Sequence, residues 1–340
     1  MISRRGVGRS GLRFSSLSLG GMTFGSNEAF GAIGSDPTEA ARVVALALDA
    51  GIDTFDTANV YGESEQLLGR LLRRRRDDVV ICTKARFPTS GHVGDGLPPS
   101  SSYGLSRAAV VRSVEASLRR LDTDRIDVLW LHMQDRSVPI EETLSATDLL
   151  VRQGKVRYLG LSNFMAYRVA EAVLTARARA LEPPVALQVP WSAVSRDVER
   201  ELVPAARHLG LGVAVYSPLA RGFLSGKYDR GAEPVVGSRL GEWRDEFARY
   251  DSDRNWAVLA ALRETARAHQ VPVSAVSLAW LLARRPVVSV VIGARTEEQL
   301  RENLMAADVR LTAEEIARLD KVSEPDWGYP ESFIARFEPW

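Results

Sequence analysis

The chain contains a single cysteine, Cys82, among its 340 residues. An intrachain disulfide is therefore excluded, and a reducing compartment is expected, with the cytoplasm as the default. Cys82 lies within an apolar segment, where a small buried core residue is its ordinary role. The first residues carry charge but are not followed by the apolar stretch that a secretory signal requires.

Long hydrophobic runs and an excess of one charge are also absent. No apolar stretch approaches the roughly 18 uninterrupted residues of a membrane-spanning helix. The formal net charge is +1, and the charged residues, 26% of the chain, include both signs throughout. This balance predicts neither a nucleic-acid surface nor an anionic membrane face, so a small molecule is the expected partner. No metal site is predicted, and the composition does not distinguish a monomer from a homo-oligomer.

Short apolar segments alternate with amphipathic segments along almost the whole chain. The short apolar segments are typical of strands that are covered on both faces. The amphipathic segments begin with helix-start patterns, for example Asp36 followed by Pro37 and Glu39, and Ser106 before a stripe of apolar residues. Eight strand–helix units without a linker predict an α/β fold, a (β/α)8 TIM barrel in one domain over 1–340. We expect the barrel over about 15–310 and a C-terminal helix and tail over 311–340. The predicted strands are 17–19, 54–55, 79–82, 128–131, 158–161, 185–189, 213–216 and 287–292.

A glycine pattern near the amino terminus favours a competing fold. Gly6, Gly8 and Gly11 match the fingerprint G-x-G-x-x-G of doubly wound, dinucleotide-binding sheets. That fingerprint requires a strand before it and a helix after it, yet only five residues precede Gly6 and a strand-like segment follows Gly11. We therefore interpret these glycines as the turn of an N-terminal β-hairpin.

Two stretches, 86–104 and 220–253, are rich in Gly, Pro, Ser and Asp. They predict long loops, which we expect at the C-terminal mouth of the barrel. An aromatic tail follows Glu324. It either covers the mouth or packs against the outer wall, and the sequence leaves both open.

Four polar residues lie at or just beyond the ends of three successive apolar strands: Asp56, Tyr61, Lys84 and His132. In a parallel barrel these ends converge on one mouth. Each of Asp56, Tyr61 and His132 taken singly could be a turn residue, an interface aromatic or a satisfied polar group. A lysine placed at the surface merely for solubility would be unusual in this chain, because nearly all of its 44 basic residues are arginine. Lys84 is therefore harder to explain without a specific role. The lysines are Lys84, Lys155, Lys227 and Lys321.

These residues lie within motifs that resemble the aldo-keto reductase superfamily. The similar segments occur in family order, from the turn at Gly8 to about Val322. They are 51–62 (GIDTFDTANVYG), Thr83 with Lys84, Leu131 with His132, 160–164 (GLSNF), Gln188, 216–219 (YSPL), and 293–295 (GAR) continuing to Asn303. The resemblance implies a barrel enzyme that uses NADP(H) to reduce the carbonyl of an aldehyde, a ketone or a keto-sugar.

The resemblance assigns Tyr61 as the general acid. A phenol titrates near pKa 10 and is a weak proton donor at neutral pH. The Lys84 ammonium is therefore expected to lower the pKa of Tyr61, with Asp56 keeping the ammonium charged and in place. His132 would hydrogen-bond and polarise the substrate oxygen.

The resemblance also implies a set of cofactor contacts. Ser162, Asn163 and Gln188 would bind the nicotinamide carboxamide, and Tyr216 would stack on the nicotinamide ring. Arg295 would bind the 2′-phosphate of the adenosine half beside a helix start, which favours NADPH over NADH. This part departs from a common family pattern, because Gly293 and Ala294 stand where Lys-Ser is frequent. The remaining implied contacts are Gly21, Met22, Asp56, Ser217, Leu219, Gly222, Leu224, Gln299 and Asn303.

Two other functions remain open. Lys84 could form a Schiff base in a barrel aldolase or isomerase, although Asp56 and Tyr61 would then have no role. The family also resembles the β subunits of potassium channels, so the chain could be a cofactor-holding sensor or regulatory subunit with little turnover.

Overall fold

The structure is a computed structural model that describes residues 2–25, 34–89, 103–334 and 336–337. The strands are β1 (Arg4–Gly6), β2 (Arg13–Ser15), β3 (Leu17–Gly20), β4 (Thr54–Asp56), β5 (Val80–Ala85), β6 (Ile126–Leu131), β7 (Val156–Ser162), β8 (Ala186–Pro190), β9 (Gly212–Tyr216) and β10 (Val287–Ile292). The α-helices are α1 (Pro37–Asp49), α2 (Ser64–Leu72), α3 (Arg107–Leu121), α4 (Ile140–Arg152), α5 (Ala166–Ala178), α6 (Leu202–Leu209), α7 (Arg239–Glu242), α8 (Arg244–Tyr250), α9 (Asp253–His269), α10 (Val273–Leu282), α11 (Glu297–Leu304), α12 (Ala313–Val322) and α13 (Glu331–Ile334).

Strands β3 to β10 form a closed parallel barrel in chain order, and β10 pairs with β3 to complete it. All eight predicted strands are present, and their ends differ from the predicted ends by at most three residues. Helices lie between successive strands, so the predicted (β/α)8 barrel is confirmed. Strands β4 and β6 are buried along their whole length, as expected for strands with side chains facing both the interior and the helices.

The helix starts follow the capping patterns of the sequence. The Asp36 carboxylate accepts hydrogen bonds from the backbone N–H groups of Thr38, at 2.7 Å, and Glu39, at 3.1 Å, at the start of α1. The Ser106 hydroxyl accepts one from the N–H of Ala109 at 3.4 Å, at the start of α3. These side chains satisfy donors that a helix leaves unpaired in its first turn.

The interior of the barrel is filled by side chains of unequal size. Trp130 of β6 pairs in register with Gly160 of β7. A Cβ atom on Gly160 would lie 2.3 Å from Cε3 of the Trp130 indole. The indole therefore occupies the space that any larger residue at position 160 would need. The buried interior cluster around it is Val7, Leu12, Phe14, Cys82, Val128, Val185, Ala186, Ala214 and Val288.

The N-terminal β-hairpin is present, as predicted, with β1 and β2 antiparallel. Gly8 lies in its turn at a φ of +56°, and a Cβ there would lie 2.4 Å from the carbonyl oxygen of Val185. The Arg9 N–H donates to the carbonyl of Gly210 at 3.1 Å. Val185 and Gly210 come just before β8 and β9, so the hairpin covers the N-terminal end of the barrel, opposite the mouth.

The two predicted loops differ in outcome. Of the loop at 86–104, residues 90–102 lie outside the described residues. The segment 220–253 contains the short helices α7 and α8, where an irregular loop was predicted. The reason is a local core: Tyr228 and Leu240 are buried, and the Phe223 ring stacks on Tyr250 at 5.6 Å.

The tail after α12 lies along the rim, beside the loop that follows β8. Arg200 of that loop donates to the carbonyl of Trp327 and pairs with Glu331 at 3.5 Å. The rings of Tyr329 and Phe333 stay exposed. In the described part of the chain, none of the helices combines the length and hydropathy needed to span a membrane.

Candidate active site

Four side chains from neighbouring elements meet at the C-terminal mouth. Asp56 is the last residue of β4, Lys84 lies next to the end of β5, and His132 directly follows β6. Tyr61 lies on the loop between β4 and α2. Asp56, Lys84 and His132 are all buried, at 5%, 2% and 8% exposure. The structure thus brings together the four residues singled out in the sequence.

Lys84 is the central member of this group. Its ammonium donates hydrogen bonds to Oδ1 of Asp56 and, at 2.8 Å, to the carbonyl of Thr57. Lys84 Nζ lies 5.0 Å from the centroid of the Tyr61 ring. Burial opposes the charge on the ammonium, but Asp56 and Tyr61 favour it, and the net effect raises the pKa of Lys84. Lys84 is therefore a cation at neutral pH.

Asp56 is fixed by contacts on both carboxylate oxygens. Oδ1 binds Lys84, and Oδ2 accepts a hydrogen bond from Nε2 of Gln188 at 2.7 Å. The N–H of Gly21 donates to the backbone carbonyl of Asp56 at 2.7 Å. A Cβ on Gly21 would lie 2.5 Å from the Ser64 hydroxyl, so this close approach requires glycine. Met22 follows it on the same segment.

The pKa of Tyr61 differs from the expectation. Burial raises the pKa of the phenol, Lys84 lowers it and Asp56 raises it, and the net pKa is above the ordinary value. The predicted net decrease was wrong because it took the ammonium into account without the larger effect of removing the phenol from water. The phenol therefore holds its proton at neutral pH, while Lys84 still favours the phenolate that forms when the proton leaves.

His132 is held between two aromatic rings. Its ring lies edge-on to Tyr61 at 6.0 Å and to Phe87 at 5.1 Å between centroids. Burial, with a smaller effect of the Lys84 cation, places the pKa of His132 well below its usual range. The imidazole is therefore neutral, and it can donate one hydrogen bond into the mouth. Among the described residues, buried Nδ1 has no hydrogen-bond partner.

Three of the residues expected at the nicotinamide, Ser162, Asn163 and Tyr216, form a connected network. Asn163 Nδ2 donates to the carbonyl of His132 at 2.8 Å and to the Ser162 hydroxyl at 3.1 Å. The Tyr216 hydroxyl donates to Asn163 Oδ1 at 2.8 Å, and burial raises the pKa of Tyr216 to about 12. The amide nitrogen of Gln188 binds Asp56. Asn163 Nδ2 thus uses both of its donors, whereas Oδ1 accepts a single bond from Tyr216 and keeps a second lone pair that a carboxamide N–H could use.

The segment after β9 has an unusual backbone. Ser217, Ala220 and Arg221 have φ values of 49°, 49° and 58°, and Gly222 has a φ of 100°. Non-glycine residues with positive φ are uncommon and cluster at binding sites, where successive N–H groups can face an anion. Leu219 lies within this turn and is partly exposed.

Leu224, at the end of the same segment, was expected among the cofactor contacts. It is fully buried, with its N–H on the carbonyl of Leu219 at 3.1 Å and its own carbonyl accepting from the Ser277 hydroxyl. Its side chain packs into the core beneath α10, and its place beside the cofactor pyrophosphate stays a prediction.

The segment from Gly293 to Asn303 is held by its own side chains. The Arg295 N–H donates to Gln299 Oε1 at 2.9 Å, and Asn303 Nδ2 donates to the carbonyl of Gly293 at 3.3 Å. Thr296 caps α11, as its hydroxyl accepts from the N–H of Gln299 at 3.3 Å. Ala294 is buried, whereas the Arg295 guanidinium reaches across to the carbonyl of Gly237 at 3.3 Å.

Two cations beside Arg295 were missed by the sequence interpretation. Burial and the charges of Arg295 and Arg239 lower the pKa of Lys227. Burial, Arg221 and Arg295 likewise lower the pKa of Arg239. No carboxylate of the described residues forms an ion pair with Lys227, Arg239 or Arg295. The scarcity of lysine was a signal for Lys227, but nothing in the sequence connected Arg239 with Arg295.

Comparison with known proteins agrees with this arrangement. Residues 16–324 match the Aldo/keto reductase family. The chain belongs to that family. It is 35% identical to "Uncharacterized oxidoreductase YrpG" of Bacillus subtilis (strain 168), over 96% of this chain and 98% of that protein. It is 36% identical to "Aldo-keto reductase AMT2" of Alternaria alternata, over 93% and 90%. It is 34% identical to "Probable voltage-gated potassium channel subunit beta" of Arabidopsis thaliana, over 97% and 99%.

Proposed function

We propose that this member of the family catalyses the NADPH-dependent reduction of the carbonyl group of an aldehyde, a ketone or a keto-sugar. The observation that carries the proposal is the position of the buried Lys84 ammonium, between the carboxylate of Asp56 and the ring of Tyr61. An ammonium in this position stabilises a phenolate, and it gives Asp56 a direct role in keeping that cation in place.

The chain's own residues would carry the proton chemistry. The phenol of Tyr61 gives its proton to the substrate oxygen, and the Lys84 ammonium stabilises the phenolate that remains. Neutral His132 donates a hydrogen bond to the same oxygen, which stabilises the negative charge developing there. When bound, the reduced nicotinamide supplies the hydride.

NADPH is the cofactor that fits the surrounding residues. Burial and the charges of Arg295 and Arg239 lower the pKa of Lys227, and burial with the charges of Arg221 and Arg295 lowers the pKa of Arg239. No described carboxylate forms an ion pair with Lys227, Arg239 or Arg295. A phosphate group between them would relieve this repulsion and accept charge-assisted hydrogen bonds. The backbone turn from Ser217 to Gly222 would hold the pyrophosphate, and Arg295 beside the α11 start would bind the 2′-phosphate.

The first test is the variant Tyr61→Phe. It removes only the hydroxyl, so carbonyl reduction should fall by about 10²- to 10⁴-fold, as is typical for loss of a general acid. NADPH affinity, measured by fluorescence titration, should change little. If turnover and NADPH affinity fell together, Tyr61 would be a cofactor-binding residue and the proposed role would be wrong.

A regulatory subunit with little turnover is the second candidate. The observation in its favour is the similarity to the Arabidopsis thaliana protein named as a potassium channel subunit beta. A panel of aromatic aldehydes, dicarbonyls and keto-sugars separates the two functions. Tight NADPH binding with turnover near zero on every carbonyl would favour the regulatory subunit, whereas turnover that depends on Tyr61 would favour the reductase.

A further inference from the structure

A cavity of about 1380 Å³ lies at the mouth, over the ends of β5 to β8. Its wall is largely apolar, formed by residues such as Tyr103, Met133, Phe164 and Tyr167. Asn163 also lines it, and the same side chain donates to the carbonyl of His132. The cavity therefore lies one residue away from His132, and in the proposed reaction it holds an apolar part of a substrate whose carbonyl lies at Tyr61.

Arg86 is a mostly buried cation in the wall of this cavity. It lies two residues after Lys84, and its side chain is 14% exposed. The guanidinium carbon lies 5.9 Å from the Phe87 ring centroid and 5.8 Å from that of Tyr103. These rings hold the guanidinium in place through cation–π contacts. Its Nε atom is buried and makes no hydrogen bond to any described residue.

Asp135 is the nearest carboxylate, but its oxygens are bound elsewhere. Oδ1 accepts from the N–H and the hydroxyl of Ser137, at 3.0 and 2.6 Å, and Oδ2 accepts from the N–H of Leu105 at 3.0 Å. Arg86 Nε is 3.8 Å from Oδ2, beyond hydrogen-bond distance. Asp135 thus offsets the charge of Arg86, but it accepts no hydrogen bond from the N–H groups of the guanidinium. A guanidinium has five N–H donors in a planar fork that matches a carboxylate.

The distance from Arg86 to the reaction centre suits a compact substrate. The Phe87 ring is 5.1 Å from the His132 ring and 5.9 Å from the guanidinium carbon of Arg86. Arg86 therefore lies no farther from His132 than the sum of these two distances. A benzene ring with a carbonyl and a carboxylate as substituents spans a length of this order.

We infer that Arg86 is a specificity-determining residue that binds a carboxylate on the substrate. The preferred substrates are then aldehydes or ketones with an apolar, aromatic body and a carboxylate at the far end. This inference rests on the proposed reductase function, because it places the reacting carbonyl at Tyr61 and His132.

The test compares two aldehydes of the same shape, 4-formylbenzoate and its methyl ester, with the 3-isomers as a shorter pair. The wild-type chain should prefer the acid in kcat/KM by about 10- to 100-fold, the usual strength of a hydrogen-bonded contact to a charged group. Arg86→Met keeps the apolar stem and should remove that preference through KM, with the ester unaffected. Arg86→Lys should restore it in part, because an ammonium keeps the charge but not the fork.

Arg136→Met is the matched control. Arg136 lines the same cavity but is exposed, with its guanidinium on the Met165 sulfur at 3.9 Å. Its removal lowers the net charge equally and should leave the acid-to-ester ratio unchanged. An equal decrease for acid and ester in Arg86→Met would show a structural role and overturn the inference, as would a wild-type enzyme that does not prefer the acid.

Failure of the proposed function has a different signature. If the wild-type chain with NADPH reduced neither these aldehydes nor any carbonyl of the wider panel, the reductase proposal would fail, and calorimetric binding of 4-methylbenzoate would test Arg86 directly. Binding at least tenfold tighter to the wild type than to Arg86→Met would support the carboxylate site. Equal binding would overturn it.

Discussion

His132 lowers the stability of the folded chain at acidic pH, an effect separate from the catalytic role proposed for it. The imidazole is 8% exposed, and burial and Lys84 hold its pKa well below its usual range. In the unfolded chain the same residue titrates near pH 6.5. Below that pH the unfolded chain binds a proton that the folded chain does not, so the free energy of unfolding decreases as pH falls through this window. Above it, both states are neutral at this residue and the effect is absent.

The variant His132→Gln tests this linkage. Without the imidazole, the decrease in unfolding free energy between pH about 6.5 and 5 should become shallower by up to about 1.4 kcal/mol per pH unit. Urea unfolding of wild type and variant at several pH values gives the difference in their free energies of unfolding. The contributions of the other histidines cancel in that difference. Parallel curves for the two proteins would mean that His132 is protonated in the folded chain.

Single residues also show which features of the site could be predicted from the sequence and which could not. Asp56, Lys84 and His132 could be placed together because each follows an apolar strand, and parallel strands end at one mouth. The direction of the pKa shift of Tyr61 could not be obtained in this way, because it depends on burial by groups far away in the sequence. Arg239 was missed for the same reason: its distance to Arg295 depends on the path of the segment 220–253.

Among the elements, strands β6 and β7 depend on one close contact. The Trp130 indole fills the space beside Gly160, where a Cβ would lie 2.3 Å away. Gly160→Ala should therefore reduce the free energy of unfolding by about 1–3 kcal/mol, the usual cost of overpacking. Gly6→Ala is the control, because a Cβ on Gly6 meets no atom within 4 Å.

A double-mutant cycle with Trp130→Phe identifies the cause. The smaller ring should make Gly160→Ala less costly, by an interaction free energy of about 0.5–3 kcal/mol. Chemical denaturation of the four proteins measures it. A cost for Gly160→Ala that stayed the same in both backgrounds would place the strain in the backbone and not in the indole.

Elements were easier to foresee than their connections. The strands and the starts of α1 and α3 follow from apolar runs and capping residues, which act over a few positions. Helices α7 and α8 were not foreseen, because they form where Tyr228, Leu240 and Phe223 build a local core. That core brings together residues from both ends of the segment, so no short pattern in the sequence reports it.

At the scale of the whole molecule, two distant parts of the chain, the segment 220–253 and the start of α11, contribute cations to one place. Lys227 follows the turn after β9, Arg239 begins α7, and Arg295 precedes α11. The chain as a whole has a net charge of only +1. The positive field at this end of the mouth is therefore a local arrangement. The repulsion among these cations destabilises the folded chain. A bound phosphate would remove it, so cofactor binding and stability should be coupled.

This coupling distinguishes NADPH from NADH. A ligand at 100 times its Kd stabilises the folded chain by about 2.7 kcal/mol, so the cofactor that binds more tightly should raise Tm further at equal concentration. We expect the larger rise with NADPH. Arg295→Ala should weaken NADPH by about 10- to 100-fold, the usual value of a charged hydrogen bond, and NADH much less. The difference between the two Tm shifts should then largely disappear.

Arg301→Ala is the control for this variant. Arg301 lies on α11 and pairs with Glu297 at 3.5 Å on an exposed face. Its removal changes the net charge equally, but it should leave the preference for NADPH intact. Fluorescence titrations with both cofactors provide the affinities. Equal losses of NADPH and NADH affinity in Arg295→Ala would mean that the guanidinium contacts a part common to both, and the 2′-phosphate would then have to bind at Arg239 or Lys227.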